Sequence, residues 1–166
     1  MTVNLFEIEV QKDADDPDGY NASYARVTPL VGGEKLGLSV YELPPGQSIC
    51  PYHYETGEEE WLIVLAGTPT LRTPEGEREL RVWDTAFFPA TAEGAHKVTN
   101  RGGEQARVAI WSNRVEPHVS VYPDSDKVLA SPPGKLFRAG DAVDYWEGEA
   151  VRTPPLPPSQ GEPGTT

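Results

Sequence analysis

The stretch PGQSICPYHYETGEEEWLIVLAG, Pro45 to Gly67, decides how the chain is read, because it places one histidine and several carboxylates just ahead of an unbroken apolar run. Side chains at positions i and i+2 of an extended strand share a face, so His53 and Glu55 point into one cavity. A turn at Thr56-Gly57 follows, and EWLIVL reads as the next strand. Glu60 opens that strand and shares parity with Leu62 and Val64, so it points inward as well. Glu58 and Glu59 read as a solvated edge, with Glu59 able to replace Glu60 only under a one-residue register slip. A second stretch, WDTAFFPATAEGAHKVTN from Trp83 to Asn100, carries His96. To meet the other three, His96 must arrive on a distant strand, which demands a closed β architecture. Two imidazoles and two carboxylates converging on one point form a ligand set for a first-row divalent metal.

With these residues the chain resembles the cupin superfamily, in the form of a small single-domain conserved barrel with a variant first motif. The first cupin motif runs Gly, five residues, His-x-His, three or four residues, Glu, six residues, Gly. Here it reads Gly46, His53-Tyr54-Glu55, Glu60 and Gly67, with six residues between Gly46 and His53 and with Glu55 where the second histidine of the motif stands. The second motif is matched at Pro89, Gly94, His96 and Asn100, with Trp83 in place of its first glycine. The two motifs lie in order on either side of a Thr73-Pro74-Glu75-Gly76 turn, and flanking strands extend the resemblance over roughly 24–122. The resemblance implies an all-β fold, a cupin-like double-stranded β-helix or jelly-roll barrel. It implies much less about chemistry, since one scaffold hosts many reactions.

The punctuation of the chain agrees with such a barrel. Short apolar runs at 24–31, 36–43, 61–67, 69–73, 85–89, 96–100, 106–112 and 118–123 alternate with Gly- and Pro-containing connectors, the pattern of a sandwich or barrel of strands. The barrel is expected over residues 1–123. Beyond Pro123 the strand pattern fades, yet Leu136, Phe137, Val143, Tyr145 and Trp146 are too apolar for a free tail. Residues 124–166 are therefore expected as an extended C-terminal arm, packed on the barrel or on a partner subunit, where large rings contribute most area. The closing TPPLPPSQGEPGTT reads as a docked extended arm or a frayed terminus. A segment built to cover a surface makes a homodimer the expected assembly.

Composition excludes several classes. A chain of 166 residues suits one domain with a sizeable core. Its net charge of -12, from 26 acidic and 14 basic residues, argues against a face for nucleic acid or anionic lipid. The lone Cys50 excludes an intramolecular disulfide framework. Residues 1–20 lack the basic start and apolar stretch of a signal peptide, and no run approaches a membrane span, so a cytoplasmic protein is expected. The acidic loop at 13–19 lacks EF-hand spacing and reads as a solvated turn. No phosphate-cradling glycine loop stands between a strand and a helix, and no Ser-His-Asp or Cys-His nucleophile arrangement stands out.

Around the four candidate ligands the remaining polar residues take ordinary roles. Cys50 reads as a small buried hydrophobe rather than a thiolate ligand, His118 as a structural hydrogen-bonding group, and Asn100 as the residue that closes a turn. Tyr52, Tyr54, Trp61, Trp83, Phe87, Phe88 and Trp111 supply bulk, and alternation lets only some of them face inward. Glu55 either ligates in place of the expected histidine or leaves a three-ligand site. The set His53, Glu55, Glu60 and His96 suits Mn, Fe or Zn, with open positions for water, dioxygen or a chelating oxygen of a small organic substrate. Iron would support a dioxygenase, and Zn or Mn a Lewis-acid isomerase or decarboxylase. A non-catalytic cupin that holds a metal or small ligand is the alternative, and a barrel without metal a third.

Overall fold

The computed structural model describes residues 1–149. The proline-rich stretch from Thr153 onward lies outside the described residues. The strands are β1 (Ser23–Arg26), β2 (Leu36–Leu43), β3 (Tyr54–Thr56), β4 (Glu60–Ala66), β5 (Thr70–Thr73), β6 (Gly76–Glu79), β7 (Thr85–Phe88), β8 (Lys97–Thr99), β9 (Ala106–Asn113), β10 (His118–Tyr122), β11 (Lys127–Ser131) and β12 (Lys135–Arg138), with one short helix, α1 (Val27–Val31). One layer has the order β1-β2-β9-β4-β7; the other consists of β6-β5-β8 and β12-β11-β10-β3. Every pairing is antiparallel. Isolated bridges at Ser48–Thr99 and His53–His96 stitch the second layer together. The fold is an all-β jelly roll of the kind the two motifs imply.

Alternation explains which face of each strand is buried. Leu62 and Val64 of β4, Val108 of β9 and Leu43 of β2 meet Leu71 and Val98 of the opposite layer in the main core. On the outer face of the five-stranded sheet, Val40, Leu65 and Ala109 are covered in part by Val3, Leu5 and Ile8 of the N-terminal segment. Arg107 holds that segment down, donating to the carbonyls of Phe6 at 3.1 Å and Ile8 at 3.5 Å while pairing with Glu42 at 2.8 Å. No helix among the described residues is long and apolar enough to cross a membrane.

Three expectations about elements need correction. The run 24–31 does not stay extended: β1 ends at Arg26 and Val27–Val31 turn into α1. Thr28 locks that turn, its hydroxyl donating to Leu36 O at 2.9 Å and accepting from Leu38 N at 2.7 Å. Gly32, at φ 70°, ends the helix in the left-handed region where glycine carries no steric penalty. Residues 76–79, not expected as a strand, form β6 as a hairpin partner of β5. Nor does the pattern stop at Pro123, because β11 pairs with β10 and β12 with β11. All four residues of β6 and of β12 are exposed, so these strands carry no hydrophobic alternation to be read. Beyond them Val143, Tyr145 and Trp146 are 67%, 82% and 69% exposed, and the barrel of the same chain does not cover them.

Trp83, which stands at the first glycine of the second motif, has φ 73° and a side chain 69% exposed. A bulky residue in the left-handed region costs on the order of 1–2 kcal/mol. Trp83→Gly is therefore expected to raise stability by roughly 0.5–1 kcal/mol, the relief being offset in part by a freer unfolded chain. Urea denaturation checks this, and a clear loss of stability would show that the indole packs on something in solution.

Candidate metal centre

His53 directly precedes β3 and His96 directly precedes β8, and the two residues exchange both backbone hydrogen bonds, at 3.1 Å and 2.8 Å. Residues paired in this way across antiparallel segments project their side chains from the same face. The ring centroids accordingly lie 4.8 Å apart. Each Nδ1 is 3.0 Å from a backbone carbonyl, Pro51 O for His53 and Gly94 O for His96. A carbonyl can only accept, so each Nδ1 carries the proton and each Nε2 turns a lone pair to the cavity. Phe88 stacks on the His96 ring at 3.7 Å and Tyr122 on the His53 ring at 5.7 Å, which fixes both ring planes. Gly94 is required in the loop before His96, because a Cβ there would stand 2.0 Å from Pro89 O.

Glu60 enters from the other layer. It faces Phe88 on one side and Ser112 on the other in the β4 register, on the same strand face as the fully buried Leu62 and Val64. Its Oε2 is 3.6 Å from His96 Nε2. One ligand atom from each of His53, Glu60 and His96 lies within 4.8 Å of the other two. Glu55 is beside this group and outside it: its Oε1 is 3.7 Å from His53 Nε2, while Ser120 Oγ lies 2.9 Å and 2.8 Å from its two carboxylate oxygens.

Burial and like charge govern the electrostatics. Glu60 is pushed up to about 7 by desolvation, then by the neighbouring Glu55 and Glu58. Desolvation also raises Glu55. His96 is lowered to about 3 by desolvation and by His53, and desolvation lowers His53 too. Neutral imidazoles with free Nε2 atoms therefore face carboxylates that have no lysine or arginine within salt-bridge distance among the described residues. A buried carboxylate keeps its charge only beside a cationic partner or a metal, so the ionised donor set fits a divalent ion.

The neighbours settle several smaller questions. Cys50 has its thiol pushed up to about 12 by burial, then by Glu60 and Glu55, which keeps it a neutral thiol, though it is half-buried rather than fully buried as expected. Asn100 is fully buried and closes the turn as expected, donating to Leu43 O at 2.8 Å and Glu104 O at 2.7 Å. His118 bonds Val115 O at 3.1 Å and lies 3.6 Å from Glu58. Glu58 is not a solvated edge residue: it accepts from Val115 N at 3.1 Å with its side chain only 16% exposed. Phe88 faces inward, 4% exposed, and Trp61 faces outward at 41%. Sequence reading missed Ser120 and Tyr122, which alternation in HVSVY aligns with His118 but which only the β3–β10 register brings to Glu55 and His53.

Residues 39–113 match the family model described as Cupin domain. This segment is a cupin domain. No curated protein matches the chain. Among solved structures, a sugar phosphate isomerase of the cupin superfamily from Silicibacter pomeroyi shares 23% identity at TM-score 0.76, covering 86% of this chain and 95% of its own. A candidate sugar phosphate isomerase from Acidithiobacillus ferrooxidans shares 24% at TM-score 0.76, covering 84% and 91%. The polyketide cyclase RemF of Streptomyces resistomycificus shares 20% at TM-score 0.57, covering 71% and 82%. At these identities the likeness establishes the fold, and the names differ enough to show that the cupin barrel does not choose a reaction by itself.

The raised Glu60 sets a pH dependence in metal-free protein. A carboxyl with a raised folded-state pKa contributes stability that is fully present below about pH 4.5 and is lost as pH rises through about 7. With chelator present, Glu60→Gln is expected to be more stable than wild type at pH 8 by roughly 1–3 kcal/mol, the gap closing near pH 4.5. Urea titrations at the two pH values measure it; equal stability at pH 8 would mean that Glu60 is already well solvated or paired.

Proposed function

We propose that this cupin binds a divalent Mn, Fe or Zn ion through His53, Glu60 and His96, with Glu55 completing the set, and acts on a small organic molecule. The observation that carries this reading is the convergence of the three ligand atoms within 4.8 Å, both histidines presenting Nε2. When bound, such an ion supplies a Lewis acid that polarises a carbonyl, or with iron a centre for dioxygen. The chain's own contribution is orientation and exclusion. The carbonyls of Pro51 and Gly94 hold the imidazole tautomers, and Phe88 and Tyr122 clamp the rings. Ser120 steadies the Glu55 carboxylate at the edge of the cluster. Lewis-acid isomerisation or decarboxylation suits the two-carboxylate set as well as dioxygen chemistry does, and the metal identity separates them.

Elemental analysis and titration of metal-free protein test the site. His96→Ala and Glu60→Gln are each expected to weaken binding at least tenfold, and Glu55→Gln by about tenfold, a change worth ~1.4 kcal/mol. Glu55→His should retain binding and shift preference toward imidazole-favouring metals. All titrations belong at one pH, because ligand protonation competes with the metal. Identical affinities for wild type and the two Glu55 variants would remove Glu55 from the ligand set, and no binding to wild type would end the metal reading.

We also propose a homodimer. The outer sheet face exposes Trp61, Phe87 and Leu36 at 41%, 44% and 63%, with Trp61 stacked on Trp111 at 6.2 Å, and the C-terminal rings add Tyr145 and Trp146. Obligate interfaces are large and apolar. Sedimentation at micromolar concentration should show a dimer; a monomer would contradict it.

A further inference from the structure

A cavity of about 300 Å³ opens at the end of the barrel where β1 and β9 finish and β2 begins. Strand parity places Arg26, Ser39, Tyr41 and Ser112 of its lining on the core-facing side. Arg26 pairs with Ser39 in the β1–β2 register, and Ser39 shares a face with Tyr41, which packs against the main core. Ser112 is the direct cross-strand neighbour of Glu60, and directly opposed side chains in a sheet sit about 4.5–5.5 Å apart at Cβ. The cavity therefore adjoins the cluster through Ser112 and Glu60.

The cavity carries two cationic side chains. Arg26 and Arg114 both line it, and neither guanidinium has a salt-bridge partner within 4.0 Å among the described residues. Arg114 leans over Gly37, where an added Cβ would meet Arg114 Cγ at 3.6 Å and Ser112 Oγ at 3.1 Å, so the bare glycine leaves room for both. The hydroxyls of Ser39, Tyr41 and Ser112 add donors. The opposing carboxylate, Glu58, is taken up by Val115 N and by His118. On a chain of net charge -12, an anion is repelled from most of the surface, and two unpaired guanidiniums at one cavity reverse that locally. Guanidinium forks match carboxylate and phosphate oxygens in bidentate fashion.

We propose that Arg26 and Arg114 form an anion subsite, which takes the carboxylate or phosphate of a small substrate whose other end reaches the His53–Glu60–His96 cluster. The proposal rests on the metal reading for the substrate's second end, but not for the anion itself. The substrate class is then a short oxyanion with a carbonyl or hydroxyl a few bonds away. Its charged end is anchored at β1 and β9 and its reacting end is delivered to the cluster.

Three probes separate the parts: 2-phosphoglycolate, malate and glycolate, the last lacking the second anionic group. Titrated into zinc-loaded protein, 2-phosphoglycolate or malate should bind at least tenfold more tightly than glycolate, and the tighter of the two identifies phosphate or carboxylate. The exposed double variant Arg26→Gln/Arg114→Gln should erase that advantage while leaving glycolate and zinc affinity unchanged. Arg101→Gln, on a distant exposed pair with Glu77, should behave as wild type. In parallel, arginine side-chain nitrogen resonances of metal-free protein should shift with inorganic phosphate or malate. If zinc fails to bind but these resonances shift, the metal reading falls and the subsite stands. If zinc binds and neither dianion exceeds glycolate, or if the double variant keeps the advantage, the subsite is overturned.

Discussion

The reciprocal backbone hydrogen bonds between His53 and His96 are the constraint on which the rest of the structure turns. They form an isolated bridge rather than part of a long ladder, yet they join the three-stranded and four-stranded sheets into one layer. Because paired antiparallel residues share a face, the same contact that closes the layer also brings two imidazoles together. Closing the fold and building the site are one event. Separating the pair would open the seam and disperse the ligands at once.

That seam concentrates unfavourable terms in one place. Two histidines are driven toward neutrality and two glutamates upward, all chiefly by burial. In a barrel whose main core is otherwise Leu, Val, Ala and Phe88, such a cluster runs against packing preference, and native proteins retain features of this kind where function demands them. The aromatic clamps, the Nδ1 bonds to carbonyls and the Ser120 contact all restrict side-chain motion without neutralising charge. A cation does what none of them can. The arginines at the neighbouring cavity stand apart from the cluster rather than compensating it, which leaves them free for an external anion.

Much of the site is legible in the sequence alone. Period-two parity puts Glu60 with Leu62 and Val64 on the inner face, and the structure agrees. The two motifs bring His53 and His96 to one place although they are far apart in the sequence. The hidden part depends on long-range register. Ser120 meets Glu55 only because β10 pairs with β3, and nothing local in HVSVY announces that partner. The helix at VTPLV reads as a strand because its β-branched residues favour extension, and Thr28 overrides them through its contacts with β2. Strands β6 and β12 are exposed throughout, so hydrophobic pattern could not report them. The exposed rings at Tyr145 and Trp146 are visible as composition, but what covers them is not.

In the proposed site two buried, neutral histidines present Nε2 to one divalent ion while their Nδ1 protons stay with backbone carbonyls. Side-chain nitrogen NMR of histidine-labelled protein, recorded metal-free and after addition of one equivalent of zinc, tests it most directly. Large changes are expected at Nε2 of His53 and His96, with Nδ1 protonated in both throughout and the His118 ring unperturbed. Metal-induced changes at Nδ1, changes at only one of the two histidines, or a spectrum indifferent to zinc would contradict it.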